Sequence, residues 1–284
     1  MIPTNDIVAV IVAYHPGPEA LENARLIAAQ VQRLIVIDNS DPPAPLLVDL
    51  QTLGNVEIIA NGRNLGIAAA LNSGFARAGQ LGAAWLATFD QDSRPPADFI
   101  ARLGQGFTRY AEPERIGLLA PAYVDVSSPH VAYPLHAPHE VISAMTSGNL
   151  VNMAALERCG GFRGSFFIDY VDHELCLRMR KHGFRIMQVD DAVLQHRLGN
   201  SRGHSVSGFA FTATHHNAQR RYFMSRNRVR LYREYALREV NWVLRDLWAF
   251  AKELMKIALA EEEKAAKLAA VVRGTLAGLF SRSL

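Results

Sequence analysis

The chain opens with short apolar runs separated by segments of helical periodicity. Ile7–Ala13 is continuously apolar and is followed by Tyr14-His15-Pro16-Gly17, the pattern of a buried strand ending in a turn. Glu19–Gln32 places Leu21, Ala24, Ile27, Ala28 and Val31 at helical spacing. Leu34–Ile37 and Val56–Ala60 read as further strands, Ile67–Ala78 as a helix of small residues, and Ala84–Phe89 as a fourth strand. Strands alternating with helices predict an α/β fold with a mainly parallel sheet and right-handed crossovers. Ligands of such sheets sit beyond the carboxyl ends of the strands. Asp38, Asn64 and Asp90 each follow a predicted strand in that position.

After Arg115 the rhythm changes. Ile116–Ala120 predicts another strand, and a Pro- and His-rich stretch runs on to His139. A helix is expected over Asp172–His182 and a strand over Phe184–Val189, with Leu198–Gly208 as a mobile loop rich in Gly and Ser. From about Asn217 the pattern is helical almost to the end, which divides the chain into a domain over 1–212 and a helical region over 213–284. In that region Trp242, Leu244, Leu247, Trp248 and Leu254 form a wide apolar stripe, which normally faces a core. A second subunit and a membrane surface are the other surfaces it can meet.

Composition narrows the class. Of the 284 residues 49% are hydrophobic and 20% charged, and the formal net charge is +3, which suits a folded α/β protein and excludes a disordered one. That balance is too small to argue for nucleic acid. Arg220, Arg221, Arg226, Arg228, Arg230 and Arg233 are clustered, however, and read either as a solvated helix face or as a phosphate grip. The two cysteines, Cys159 and Cys176, have no metal-ligand spacing and read as buried thiols. The apolar N-terminus lacks a preceding Lys or Arg, and Val141–Leu156 is too polar to span a bilayer, so the expected location is cytoplasmic.

Four groups of residues can carry chemistry. Asp90-Gln91-Asp92 follows an apolar run, and in extended backbone residues two apart point the same way. Two such carboxylates suit a hard divalent cation that also binds substrate phosphates, and equally suit a polar turn. Asn64-Leu65-Gly66 opens the small-residue helix, whose terminal N–H groups can meet an anion. Asp169, Asp172 and Glu174 precede or open a helix, where acids act as caps and dipole partners; an acid left facing a cleft can accept a proton. His196-Arg197-Leu198-Gly199 follows a strand-like segment, where a neutral imidazole can complete a cation's shell.

In their order, these segments resemble glycosyltransferase family 2, with its GT-A fold, and in particular bacterial rhamnosyltransferases. The resemblance extends from about Ile7 to Arg233. It rests on Val36-Ile37-Asp38-Asn39-Ser40, Asn64-Leu65-Gly66-Ile67-Ala68, Phe89-Asp90-Gln91-Asp92-Ser93 and Thr146-Ser147-Gly148-Asn149, then on Gly160-Gly161-Phe162, Asp172-His173-Glu174, His196-Arg197-Leu198-Gly199 and Arg226-Asn227. It implies an inverting transferase that moves a sugar, here L-rhamnose from dTDP-L-rhamnose or another sugar from a donor such as a UDP-sugar, onto a saccharide or lipid-linked saccharide in polysaccharide synthesis.

The resemblance also implies roles. Ala13 and Asp38 hold the nucleoside, Asn64 and Gly66 shape the nucleotide pocket, and Asp90 lies near ribose and metal. Asp92, with His196, ligates Mg²⁺ or Mn²⁺. Asp172 is the general base, and Ser147, Gly148, Arg226 and Asn227 serve the acceptor or diphosphate. The Glu-Asp pair of the family stands here as Val171-Asp172, which keeps the base and removes one acceptor contact. Expected partners are the donor and acceptor, not nucleic acid, with a homodimer and a peripheral contact at the inner membrane face left open. A non-catalytic module that binds an anionic surface or nucleic acid is the reading of another class.

Overall fold

A computed structural model describes residues 2–125, 138–196, 202–206 and 209–281. The chain forms two compact units, Met1–Phe167 with Val171–Arg197, and Ile168–Tyr170 with Leu198–Leu284.

The first unit holds strands β1 (Ile7–Ala13), β2 (Arg33–Asp38), β3 (Val56–Ala60), β4 (Trp85–Asp90), β5 (Ile116–Asp125), β6 (His139–Glu140), β7 (Asn149–Asn152) and β8 (Arg185–His196). Its helices are α1 (Glu19–Ala28), α2 (Ile67–Gln80), α3 (Phe99–Thr108), α4 (Met153–Arg158) and α5 (Val171–Lys181). The sheet order is β3-β2-β1-β4-β7-β5-β8-β6. β1, β2, β3 and β4 are mutually parallel, as expected, whereas β7 runs antiparallel to both β4 and β5. β5 and β8 are parallel as well, so the sheet is mainly parallel, as expected, and the antiparallel β7 and β6 make its far half mixed. The four-residue β7 carries no periodicity that a sequence reading can use.

β1, β2 and β4 form because their apolar runs are covered on both faces: Ile7, Val8, Ala9 and Val10 are fully buried, as are Leu34, Ile35 and Ile37. The small residues of α2 have a packing reason. A Cβ on Gly74 would lie 2.6 Å from both Val10 methyl groups, so only glycine lets the helix approach β1 this closely. Because β1 pairs with β2 on one side and β4 on the other, the strand order reverses there. A crevice at such a switch point is where ligands of open α/β sheets bind.

The second unit contains a ribbon of β9 (Arg202–Val206) and β10 (Phe209–Ala213), and helices α6 (Ala218–Tyr235), α7 (Val240–Ala260) and α8 (Lys264–Phe280). The ribbon replaces the expected loop for 202–206, with Phe211 opposite His204. The alternating aromatics Phe209 and Phe211 supply its β-propensity. The 126–137 part of the Pro- and His-rich stretch, and residues 197–201 and 207–208, lie outside the described residues.

Half of the clustered arginines do not form a solvated face. Arg221, Arg228 and Arg230 are buried. Arg221 pairs with Glu253 and, at 2.5 Å, with Glu261; Arg228 pairs with Glu253 at 2.7 Å and Asp246 at 3.1 Å. The expected core-facing stripe on α7 is also corrected. Trp242 is buried, but Leu244, Leu247 and Trp248 are exposed, because the face turned inward is the one whose carboxylates meet these arginines.

Candidate active site

The carboxyl ends of β1, β2 and β4 bring the first candidates into line. Ala13 lies opposite Asp38, and Val12 opposite Asp90. The loops beyond are stapled together. Tyr14 N–H donates to Gln91 Oε1 at 2.7 Å and Gln91 Nε2 donates back to Tyr14 O at 3.3 Å, while His15 N–H donates to Ser40 Oγ at 2.8 Å. Asp38 is buried, and its two oxygens accept Ser40 N–H at 2.9 Å and Ala44 N–H at 2.7 Å, so it builds the loop that follows its strand. Tyr14, which directly follows β1, keeps its ring exposed at the edge of this crevice.

Asn64 and Gly66 open α2 through a side-chain turn. Asn64 Oδ1 accepts Gly66 N–H at 2.9 Å, and Ile67 N–H donates to Phe167 O at 2.7 Å. Two donors expected to face an anion are thus already occupied. Gly66 has φ 84°, and a Cβ there would meet Phe167 O at 2.5 Å, so both conformation and space demand glycine.

Asp90-Gln91-Asp92 is a turn, closed by Ser93 N–H donating to Asp90 O at 3.1 Å. The extended-backbone argument for two co-aligned carboxylates therefore does not hold. Asp92 is exposed and Asp90 half-buried. Behind the turn, Ser147 and Gly148 are buried: Ser147 Oγ accepts Asp90 N–H at 3.1 Å and bonds Ser93 Oγ, and Gly148 N–H donates to Thr88 O at 2.6 Å. A bridge between Arg94 and Gln195 lays the end of β8, and with it the backbone of His196, beside the segment that follows Asp92. The described residues contain no group of three His, Cys, Asp or Glu side chains poised around one point.

The acids around α5 separate by environment. Glu174 is 0% exposed and ion-paired with Arg163 at 3.0 Å and Arg178 at 2.7 Å, which makes it a structural charge. Asp169 has φ 62° and pairs with Arg220 at 2.8 Å. Asp172 stays half-buried in the first helical turn, where one oxygen accepts His173 N–H at 2.8 Å. The residue that relates Asp172 to β4 is Tyr123, on the part of β5 beyond the predicted strand. Its hydroxyl donates within a cage of Ser147 O at 2.8 Å and Met145 O at 3.0 Å. Burial pushes this phenol well up, and the charges of Asp172 and Asp90 push it further. No sequence signal marked Tyr123.

Arg226 and Asn227 belong to the second unit. Asn227 is buried; it accepts from Arg226 Nη2 at 3.0 Å and donates to the carbonyls of Ile168 and Asp169, each at 3.0 Å. It thereby holds the segment that directly precedes Val171-Asp172 in the chain. Cys159 and Cys176 are free and buried, and burial raises the Cys176 thiol to about 12.

A sheet whose order reverses at β1, with an acidic turn after β4 and a carboxylate opening a later helix, has the layout expected of a GT-A glycosyltransferase. Residues 9–111 match the family model described as glycosyl transferase family 2. The chain is 30% identical over 249 residues to dTDP-rhamnosyl transferase RfbF of Shigella flexneri, covering 81% of each protein. The chain belongs to glycosyl transferase family 2, and it is a glycosyltransferase. Its fold is similar to that of GalNAc-T7 with UDP, GalNAc and Mn²⁺, with TM-score 0.60 and 14% identity over 81% of this chain, which spans 48% of that one. It is also similar to Staphylococcus aureus TarS 1-349 in complex with UDP-GlcNAc, with TM-score 0.56 and 13% identity, covering 95% of this chain and 71% of that one.

Proposed function

We propose that the protein transfers L-rhamnose from dTDP-L-rhamnose to a hydroxyl of a saccharide or lipid-linked saccharide in cell-surface polysaccharide synthesis. The similarity to a dTDP-rhamnosyl transferase over most of both chains supports the donor. The observation that supports the chemistry is the setting of two carboxylates: Asp90 ends β4 at the switch point of the sheet, and Asp172 is half-buried in the first turn of α5, where its side chain accepts the His173 N–H. Ala13, Asp38 and the exposed Tyr14 ring form the wall for the nucleoside, with Asn64 and Gly66 shaping the floor. Ser147 and Gly148 hold the acidic turn in place from behind, and Arg226 and Asn227 hold the segment before Asp172.

The turn fits a divalent cation in kind. Asp90 and the exposed Asp92 offer hard oxygen donors, and Mg²⁺ commonly takes one or two carboxylates with substrate phosphates completing its shell. His196 is the third candidate ligand, next in the chain to Gln195, whose backbone pairs with that of Arg94. When bound, Mg²⁺ or Mn²⁺ supplies positive charge at the leaving diphosphate. The Mn²⁺ in the structure of GalNAc-T7 supports this assignment.

Asp172 takes the proton of the acceptor hydroxyl as that oxygen bonds the anomeric carbon and the carbon–oxygen bond to the nucleoside diphosphate breaks. One base and no enzyme nucleophile give a single displacement with inversion. The free buried thiols suit a reducing, cytoplasmic site of action. The test is Asp172→Asn, which still accepts the His173 N–H and cannot take a proton. Transfer from dTDP-L-rhamnose should fall by about 10²–10⁴-fold, with donor affinity and Tm unchanged. Near-normal transfer by this variant would remove Asp172 from the role. Faster turnover of a UDP-sugar by the parent would remove the rhamnose donor and leave the transferase.

A further inference from the structure

Helix α7 is inside-out. Its carboxylates Asp246 and Glu253 point inward to Arg228 and Arg221, with Trp242, Val243 and Ile257 buried beside them. Its opposite face carries Val240, Leu244, Leu247, Trp248, Met255 and Leu259, all exposed, from 42% at Leu247 to 66% at Trp248. At 3.6 residues per turn these six occupy about 120° of the helix circumference. A water-facing helix has the reverse arrangement.

The border of this apolar strip is basic. Arg245, Lys252 and Lys256 follow one edge, and the Lys252 ammonium lies 5.6 Å from the centre of the Trp248 ring. The strip itself holds no carboxylate: Asp246 and Glu253 are on the far face, Glu261 is buried against Arg221 and Lys267, and the exposed Glu262 and Glu263 lie beyond the end of the helix. Helix α8 has no acidic residue and adds Val272, Leu276, Leu279 and Phe280 as exposed apolar side chains.

We propose that the outer face of α7 lies in the interface of an anionic lipid bilayer, parallel to its plane. An apolar strip edged by Lys and Arg matches the acyl boundary with one face and phosphate headgroups with the flank. The lysine stems extend over apolar surface while their charges reach the headgroups, and a tryptophan is the side chain most at home at that depth. A second copy of this chain is the poorer partner. A two-fold contact pairs the same patch with itself, which would gather the basic flanks without a carboxylate on the face to neutralise them. No described helix is long and apolar enough to cross a membrane, consistent with lying on one. The proposal is independent of which sugar is transferred.

The test uses the full chain with vesicles of phosphatidylcholine, alone or mixed with phosphatidylglycerol. Of the three tryptophans, Trp85 and Trp242 are buried, so a blue shift and quenching by brominated lipid report on Trp248. The parent should float with the anionic vesicles and less with the neutral ones. Leu244→Asn with Trp248→Asn should lower binding by about tenfold or more; both positions are exposed, so Tm should hold. Arg245→Gln with Lys252→Gln should weaken binding to the anionic vesicles alone. The proposal is overturned if the parent floats with neither vesicle at low salt, or if the Leu244 and Trp248 variant floats as the parent does. It is also overturned if the parent ignores lipid and sediments as a dimer that this variant splits, which would give the face to a second copy.

Discussion

The hydroxyl of Ser147 accepts the backbone N–H of Asp90 at 3.1 Å, across 57 positions of sequence. Asp90 ends β4, and its amide is the first one the sheet leaves for the turn to satisfy. Ser147 is itself buried, and its carbonyl accepts the Tyr123 hydroxyl at 2.8 Å. A single residue thus ties the acidic turn to the Tyr123 phenol.

Ser147→Ala should therefore weaken the site without touching substrate. It leaves the part-buried Asp90 amide and the buried Ser93 hydroxyl without their partner, at a cost of about 1–3 kcal/mol. Urea denaturation should show that loss, and isothermal titration should show weaker donor binding because the turn carrying Asp90 and Asp92 loosens. Unchanged donor affinity in a variant that is measurably less stable would mean that the hydroxyl serves folding alone.

Glu174 provides the contrast with Asp172, two residues earlier. Its side chain is wholly buried and meets Arg163 and Arg178, and Arg178 also donates to the carbonyls of Cys159 and Gly161. Glu174→Gln removes a fully buried charge from two half-buried guanidinium groups, and breaking a buried pair typically costs about 3–5 kcal/mol. The expected result is a large drop in the urea midpoint, with the activity of the remaining folded fraction retained. A stable, inactive Glu174→Gln protein would place the base at Glu174 instead.

The strands β1 to β4 were legible because their apolar runs are long and bounded by Gly, Pro or Asp, as at Ile7–Ala13 and its Pro16-Gly17 turn. β7 was not, because Asn149–Asn152 has only two apolar residues and forms through its neighbours β4 and β5. The sequence located the acids at 90 and 92 but not their geometry, since the same residues suit an extended end or a turn. Tyr123 carried no signal because its role depends on Asp90, Asp172 and Ser147, all distant in sequence. On α7 the apolar stripe was visible and its direction was not. Periodicity defines a face, but only the buried arginines of α6 decide which face turns inward.

Asp92→Ala should separate metal from fold. The side chain is exposed on a turn closed by backbone atoms, so Tm should shift little. The parent should bind dTDP-L-rhamnose more tightly with Mg²⁺ or Mn²⁺ than with a chelator, and the variant should lose that difference. A variant whose donor affinity still responds to the metal as the parent's does would reduce Asp92 to a turn residue.

His216 gives the second unit a pH dependence whose sign can be worked out. Burial, reinforced by Arg220 and Arg221, lowers this imidazole to about 3, against the ordinary value of about 6.5. The folded protein therefore keeps the ring neutral through the mildly acidic range, while the unfolded chain protonates it. The stability tied to this group is fully present above about pH 6.5 and is lost as the pH falls from there towards 3. His216→Asn removes the titration and keeps a polar side chain. Between about pH 7.5 and pH 5 the parent should lose more Tm than the variant does. The test reads this difference of differences, which cancels the acid titration of every other carboxylate and histidine common to the two proteins. Equal losses in parent and variant would show that His216 takes its proton in the folded state as readily as in the unfolded one, contrary to its burial beside two guanidinium groups.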